Sequence, residues 1–94
     1  MYRVYVENVG GPDALDTILD ALTRSGIDGA TVYDAVGVDN GERERSFVIE
    51  TTGPDAAGPM AQRRAVYNFA ERLKRIFEQR AVLVVETADV ATFV

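Results

Sequence analysis

Hydrophobic and polar residues alternate at the start of the chain, and this pattern predicts a strand over residues 2–8. Val4 and Val6 fall on one face of that strand. A helical pattern follows, with apolar side chains at i, i+3, i+4 and i+7: Leu15, Ile18, Leu19 and Leu22. The sequence Gly-Gly-Pro-Asp at residues 10–13 and the pair Ser25-Gly26 mark the two ends of this helix.

Asn40-Gly41 is the strongest turn signal in the chain, because both central residues of a type I′ turn need positive φ. The pair lies between two strand-like runs, residues 30–39 and 42–51. A two-residue loop fixes the register of the resulting hairpin, so that Val32 lies opposite Ile49.

The two faces of this hairpin differ in character. One face is mainly apolar and carries Val32, Val36, Phe47 and Ile49. On that face Asp34 is diagonal to Arg45 and close enough to form an ion pair. The other face mixes aromatic, small and charged side chains, which is typical neither of a core nor of a solvated surface: Thr31, Tyr33, Ala35, Gly37, Glu44, Ser46, Val48 and Glu50.

A loop rich in Gly and Pro covers residues 53–59, and a long helix that we expect to end near Gln79 follows it. Its apolar stripe consists of Val66, Phe69, Ala70, Leu73, Ile76 and Phe77. The sequence AVLVVE at residues 81–86 is almost continuously apolar and predicts a strand covered on both faces. We expect the tail, residues 89–94, to pack against the rest of the chain.

The predicted element order is β-α-β-β-α-β, which is that of the ferredoxin-like α+β fold. Right-handed crossovers place both helices on one face of a four-stranded antiparallel sheet. Residues 1–94 are expected to form a single domain, because a chain this short holds one core. The other face of the sheet has no predicted cover, and we call it the open face. It carries Tyr5, Tyr33, Ser46 and Val48.

Composition removes several classes of function. The chain has 94 residues and contains no Cys, His or Trp, which excludes disulfides, Cys/His zinc sites and His-based triads. No calcium-loop pattern is present, so we predict neither a metal nor a cofactor. The net charge of −5 disfavours nucleic acid and anionic membranes as partners. No apolar run approaches the roughly 18 residues of a membrane span, and we expect a cytoplasmic protein.

Positive charge is concentrated in residues 62–80, which contain six basic and two acidic side chains. The basic residues are Arg63, Arg64, Arg72, Lys74, Arg75 and Arg80. They are compatible with a solvated helix face or with an anion site. In the second case the Gly-rich loop at residues 53–58 and the start of the helix would hold the anion together with Arg63 or Arg64.

Three functions are compatible with a mixed open face. RNA recognition would use Tyr5 for stacking, but Glu7, Glu44 and Glu50 would repel phosphate. Catalysis would depend on carboxylates or tyrosines, and no pair of acids is distinguished by its spacing, so we predict no enzymatic activity. Self-association needs no ligand and suits a surface of Tyr, Val, Ala and Ser.

The hairpin sequence is GATVYDAVG at residues 29–37, GERERS at 41–46 and FVIE at 47–50. It resembles the PII-like superfamily, in particular small members with the pattern G-x-T-V-x-x-A-x-G … G-x-x-E-x-S. Residues 77–84, FEQRAVLV, are similar to the junction between the second helix and the last strand in those proteins.

The resemblance implies a homotrimer whose sheets pack inward through their open faces, with Tyr5, Tyr33, Ser46 and Val48 in the interface. It also implies a nucleotide or small anionic ligand in the clefts between subunits. The hairpin residues carried over to that cleft are Gly37, Glu42, Arg43 and Arg45. Two features of classical PII proteins are missing, namely a long loop between strands two and three and a Gly-rich loop with Lys before the last strand. We therefore do not assume their ATP site.

The resulting hypothesis is a non-enzymatic regulatory or sensor oligomer that binds a nucleotide or small anion at its subunit interfaces. Its predicted ligand-binding residues are the four in the hairpin together with Arg63 and Arg64. The alternative is a protein–protein interaction module or structural oligomer that has no ligand.

Overall fold

The alternating N-terminal segment forms a strand, β1 (Tyr2–Glu7), in which Val4 and Val6 are buried. The protein is described by a computed structural model that covers residues 1–8, 11–55 and 58–87. The other strands are β2 (Thr31–Asp39), β3 (Glu42–Thr51) and β4 (Leu83–Glu86). The sheet order is β2-β3-β1-β4, and all neighbouring strands are antiparallel.

Two helices complete the fold. A single 3-10 turn over Gly11–Asp13 leads into α1 (Ala14–Arg24), and α2 spans Pro59–Ile76. Both helices contribute to one core with the valines of β1 and Ile49 of β3, so they cover the same face of the sheet. The predicted ferredoxin-like α+β architecture is confirmed. No helix in the described segments is long and apolar enough to cross a membrane.

The buried side of α1 differs from the predicted stripe. Ile18 and Leu22 are buried as expected, but Leu15 and Leu19 are each 47% exposed. Ala14 and Ala21 occupy the contact instead, because their small side chains let the helix approach the sheet closely. At the end of α2, Ile76 is likewise exposed rather than buried.

The expectation that the last strand is covered on both faces is wrong. β4 is an edge strand, and Leu83 is 59% exposed on the face that no helix covers. Residues 81 and 82 precede the strand, although Val82 still packs against the core. The predicted packing of residues 89–94 lies outside the described residues.

The β2–β3 hairpin has the predicted register, with Val32 opposite Ile49 and Asp39 opposite Glu42. Asn40 and Gly41 form the turn, with φ values of 51° and 78°. The ladder between β1 and β3 covers residues 46–51 of β3, and Asn8 N donates to the Arg45 carbonyl at 2.9 Å just beyond it. Residues 36–45 extend past this ladder as a two-stranded segment that we call the arm.

The expected ion pair between Asp34 and Arg45 is not formed. Asp34 Oδ1 instead accepts a hydrogen bond from Asn8 Nδ2 at 3.3 Å. Diagonal neighbours on a sheet face are farther apart than directly paired residues, and Asn8 follows β1 at the start of the arm.

Candidate functional site

One row of side chains crosses the open face through all four strands. Tyr33 of β2 lies opposite Val48 of β3, Val48 lies opposite Tyr5 of β1, and Tyr5 lies opposite Leu83 of β4. We call these four residues the aromatic row. With three inter-strand spacings it extends about 14 Å. Tyr33 is 40% exposed, so the row offers aromatic and aliphatic surface to solvent.

Val48 is 1% exposed, although no helix covers this face of the sheet. The tyrosines that flank it on both sides provide its cover. Val48 therefore has little surface left to contribute to an interface. Contacts made by the aromatic row fall on Tyr5, Tyr33 and Leu83.

A polar row lies directly beside the aromatic row and contains Thr31, Glu50, Arg3 and Val85 in register. The Tyr33 hydroxyl donates a hydrogen bond to Glu50 Oε1 at 2.5 Å. Arg3 Nε lies 3.5 Å from the same oxygen. Hydrogen bonds to a carboxylate are stronger than neutral ones, so Glu50 orders the Tyr33 side chain across the two rows.

The pKa of Tyr33 is raised above its ordinary value, first by the hydrogen bond to Glu50, then by partial desolvation and the negative charge of Glu50. At neutral pH its hydroxyl keeps its proton, as that of an ordinary tyrosine does, and it acts as a donor. Such a group can orient a bound molecule, but it is a poor general base.

The four predicted interface residues all lie on the open face. Tyr5, Tyr33 and Val48 belong to the aromatic row, and Ser46 lies opposite Glu7 in the next row. Sequence reasoning missed Leu83 and Val85, because the AVLVVE segment looked like a fully covered strand. Leu83 and Val85 are two residues apart and therefore share one face of the strand, which was the signal that could have placed them on the open face.

The six predicted ligand-binding residues do not come together in one chain. Because side chains alternate along a strand, Gly37 and Glu42 lie on the open side of the arm, whereas Arg43 and Arg45 lie on the helix side. Arg63 contacts Glu86, which pairs with Tyr2 at the opposite end of β1 from the arm. Arg45 is the nearest of the four hairpin residues and lies six residues along β3 from Thr51, the partner of Tyr2. The two groups are thus roughly 20 Å or more apart along the sheet.

Arg63 is engaged within the chain. Its Nε lies 2.6 Å from Glu86 Oε1, and its guanidinium carbon lies 4.8 Å from the centre of the Tyr67 ring. The Tyr67 hydroxyl donates to the same carboxylate oxygen at 3.3 Å. These contacts raise the pKa of Arg63, and the Glu86 hydrogen bond has the largest effect. Arg64 lines a shallow depression beside it with Met60 and Tyr67.

The Gly-rich loop before α2 packs back onto the helix where the structure describes it. Gly53 has φ 86°, and a Cβ at this position would lie 3.1 Å from Gln62. Gln62 Nε2 donates to the Pro54 carbonyl at 3.1 Å. The middle of the loop, residues 56 and 57, lies outside the described residues. The absence of a side chain at Gly53 allows the loop to approach α2 closely at Gln62.

The described segments contain no group of three or more acidic residues placed to hold a metal ion. A scan of protein-family models gave no match to the chain, and a search of curated proteins gave none either.

Among solved structures, the chain is similar to a phage SAM lyase in complex with S-methyl-5'-thioadenosine. The TM-score is 0.70 and the identity is 23%, over 88% of this chain and 75% of the other. At this identity the likeness shows the fold alone. The neighbour is an enzyme, which does not agree with the expected lack of activity, and that expectation stays a prediction.

Proposed function

We propose that this protein binds a small nucleoside-type ligand on the open face of its sheet, within a homo-oligomer, as a sensor or binding protein. The observation that carries the proposal is the aromatic row beside the Tyr33–Glu50–Arg3 network. A purine ring stacks on an aromatic side chain whether or not the ligand carries a charge. A carboxylate such as that of Glu50 accepts hydrogen bonds from ribose hydroxyls.

The charges on this face restrict the chemical classes of ligand that it can bind. Glu50, Glu7 and Glu44 lie on the open side, and Arg3 already contacts Glu50. A phosphate group would be repelled here, so a neutral or cationic nucleoside fits better than the anionic nucleotide expected from the sequence. S-methyl-5'-thioadenosine, which is bound to the structural neighbour, is a nucleoside thioether without phosphate and has this chemistry.

The shape of the site supports the proposal that the protein is a homo-oligomer. Small-molecule sites are concave and bury most of their ligand, whereas a sheet face contacts only one side of it. A second open face would close the site from above. The resemblance to PII-like proteins supports three copies and an interface that includes Tyr5, Tyr33 and Ser46.

Titration calorimetry with S-methyl-5'-thioadenosine, adenosine and adenosine monophosphate tests the proposal. We expect the two nucleosides to bind and the monophosphate to bind more weakly. Glu50→Gln should weaken nucleoside binding roughly tenfold or more, because a charged hydrogen-bond partner is lost. Glu44→Gln is the matched control in the arm and should leave binding unchanged. The absence of nucleoside binding would contradict the proposal and favour a structural oligomer without a ligand.

A second candidate is lyase activity on S-adenosylmethionine, and the structural neighbour supports it. Incubation with S-adenosylmethionine followed by mass spectrometry separates the two candidates. Formation of S-methyl-5'-thioadenosine by the wild type, lost in Glu50→Gln, would show an enzyme. Binding without turnover would support the sensor.

A further inference from the structure

The arm has two chemically opposite sides. Val36 pairs with Arg45 and Val38 with Arg43, so these four residues share the helix side. We call them the Val/Arg patch. The two valines are 62% and 74% exposed, although they follow directly from the covered part of β2. The opposite side of the arm carries Asp39, Glu42 and Glu44.

Nothing in the described chain covers the Val/Arg patch. Neither Arg43 nor Arg45 has a carboxylate within ion-pair distance among the described residues. Exposed aliphatic side chains beside arginines are typical of interaction surfaces, where Arg is enriched. The patch therefore fits a partner that presents apolar and acidic groups together.

The outer side of α1 presents both groups. Leu15 and Leu19 are each 47% exposed, and Asp16 and Asp20 follow them in the sequence. We call these four residues the Leu/Asp patch. Asp20 contacts Arg24 at 2.8 Å, but both side chains are more than 60% exposed. An exposed pair of this kind contributes little, so Asp20 can exchange its partner.

The two patches also match in spacing. Residues two apart on one side of a strand are about 6.7 Å apart along it, which applies to the valines and to the arginines. Residues four apart on a helix are about 6 Å apart, which applies to the leucines and to the aspartates. Each apolar pair can therefore face the other while each arginine faces an aspartate.

We propose that the Val/Arg patch of one copy docks on the Leu/Asp patch of α1 in a second copy. Within one described chain, α1 and the strands of the hairpin do not approach within 8 Å between Cα atoms, so the arm does not fold onto its own helix. The contact joins two different surfaces, and such heterologous contacts form a ring when the rotation between copies closes and an open filament when it does not. This contact would be an interface of the homo-oligomer in the proposed function. It rests on that proposal only because it requires more than one copy of the chain.

Light scattering after size-exclusion chromatography, at several protein concentrations and two salt concentrations, tests the contact. We expect an oligomer for the wild type. Arg43→Glu with Arg45→Glu should raise its dissociation constant roughly 100-fold, and Asp16→Arg with Asp20→Arg should do the same. The chain carrying all four substitutions should reassemble, because each pair then has its charges exchanged.

Arg72→Glu with Arg75→Glu is the matched control. It changes the net charge by the same amount as the arm variant, at exposed positions on α2, and should leave assembly intact. Arg43→Lys with Arg45→Lys should also assemble, and circular dichroism verifies the fold of each variant. Val38→Ser tests the same patch without a change of charge and should weaken assembly.

A monomeric wild type, intact assembly in both double variants, or no reassembly of the fourfold variant would each overturn the proposal. The calorimetry described above separates its failure from that of the ligand proposal. If the arm variants dissociate while the wild type binds no nucleoside, the docking contact stands and the ligand proposal fails. If nucleosides bind and the arm variants stay assembled, the ligand proposal stands and the docking contact fails.

Discussion

The two halves of the β2–β3 hairpin share one continuous register but are stabilised differently. In the half beside β1, Ile49 is fully buried under the helices. In the arm, Val38 belongs to the same side of the hairpin but is 74% exposed. Burial reinforces the register in the first half, whereas in the arm the register depends on the turn at Asn40 and Gly41.

The difference shows that an alternating pattern specifies a strand and its two sides, but not what covers them. The valines in the arm lie on the same side of the hairpin as the core residue Ile49, but no helix in the described segments packs against them. We therefore expect substitutions in the first half to change folding stability. Those in the arm should change assembly.

The largest expected effect is that of Ile49→Ala. The substitution leaves a cavity between sheet and helices and should lower the free energy of unfolding by about 2–5 kcal/mol, measured by urea denaturation. Val38→Ala is the matched control in the arm and should change it by no more than about 0.5 kcal/mol under conditions where the protein is monomeric. Equal losses of unfolding free energy in the two variants would show that Val38 is packed as tightly as Ile49.

Thr51→Val should have the next largest effect. Thr51 is 4% exposed, and its hydroxyl donates to the Gly29 carbonyl at 2.7 Å and accepts from the Gly53 amide at 2.9 Å. Valine would leave both backbone groups without these partners and should cost about 1–3 kcal/mol in urea denaturation. Thr52→Val, at the exposed neighbouring position, should be close to neutral.

Gly41→Ala should affect the arm alone. Gly41 has φ 78°, where a Cβ is strained by roughly 1–2 kcal/mol. Hydrogen exchange should therefore accelerate at the arm amides, while the amides of residues 46–51 keep their protection. Gly29→Ala is a suitable control, because a Cβ there meets no atom within 4 Å. Acceleration along the whole of β3 would show that the arm is not independently stabilised.

The smallest expected effect concerns Tyr33 and pH. The raised pKa of Tyr33 means that the folded state holds this proton more tightly than the unfolded state. Its contribution to stability is complete below a pH of about 10 and is lost as the pH rises through the folded-state pKa. The ultraviolet absorbance of tyrosinate reports all four tyrosines, so the difference between the wild type and Tyr33→Phe isolates this titration. Glu50→Gln should move the pKa back toward its ordinary value, and Glu44→Gln should not.

Most of the fold could be predicted from the sequence. The Asn40-Gly41 turn alone predicted the pairing of β2 with β3, because a two-residue loop leaves one register. The candidate site was predicted in part, since Tyr5, Tyr33 and Val48 do lie together on the open face. The hydrogen bond between Tyr33 and Glu50 was not predicted, because side-chain conformation depends on both neighbouring strands.

The predicted ligand-binding residues show where a linear pattern is insufficient. Arg43 of the hairpin and Arg63 of the basic segment were both predicted to bind the ligand, yet they lie toward opposite ends of the sheet. The exposure of Leu83 depends in the same way on the position of β4 at the edge.

The sequence by itself determined the order of the elements, the hairpin register and the two-faced character of the sheet. These properties follow from local periodicity and turn chemistry, which act between residues close together in the chain. Only the tertiary structure decided that Ala14 rather than Leu15 faces the core, that β4 lies at an edge and that the arm extends past β1. These properties arise from packing between distant segments, where shape and available cover select among the apolar residues.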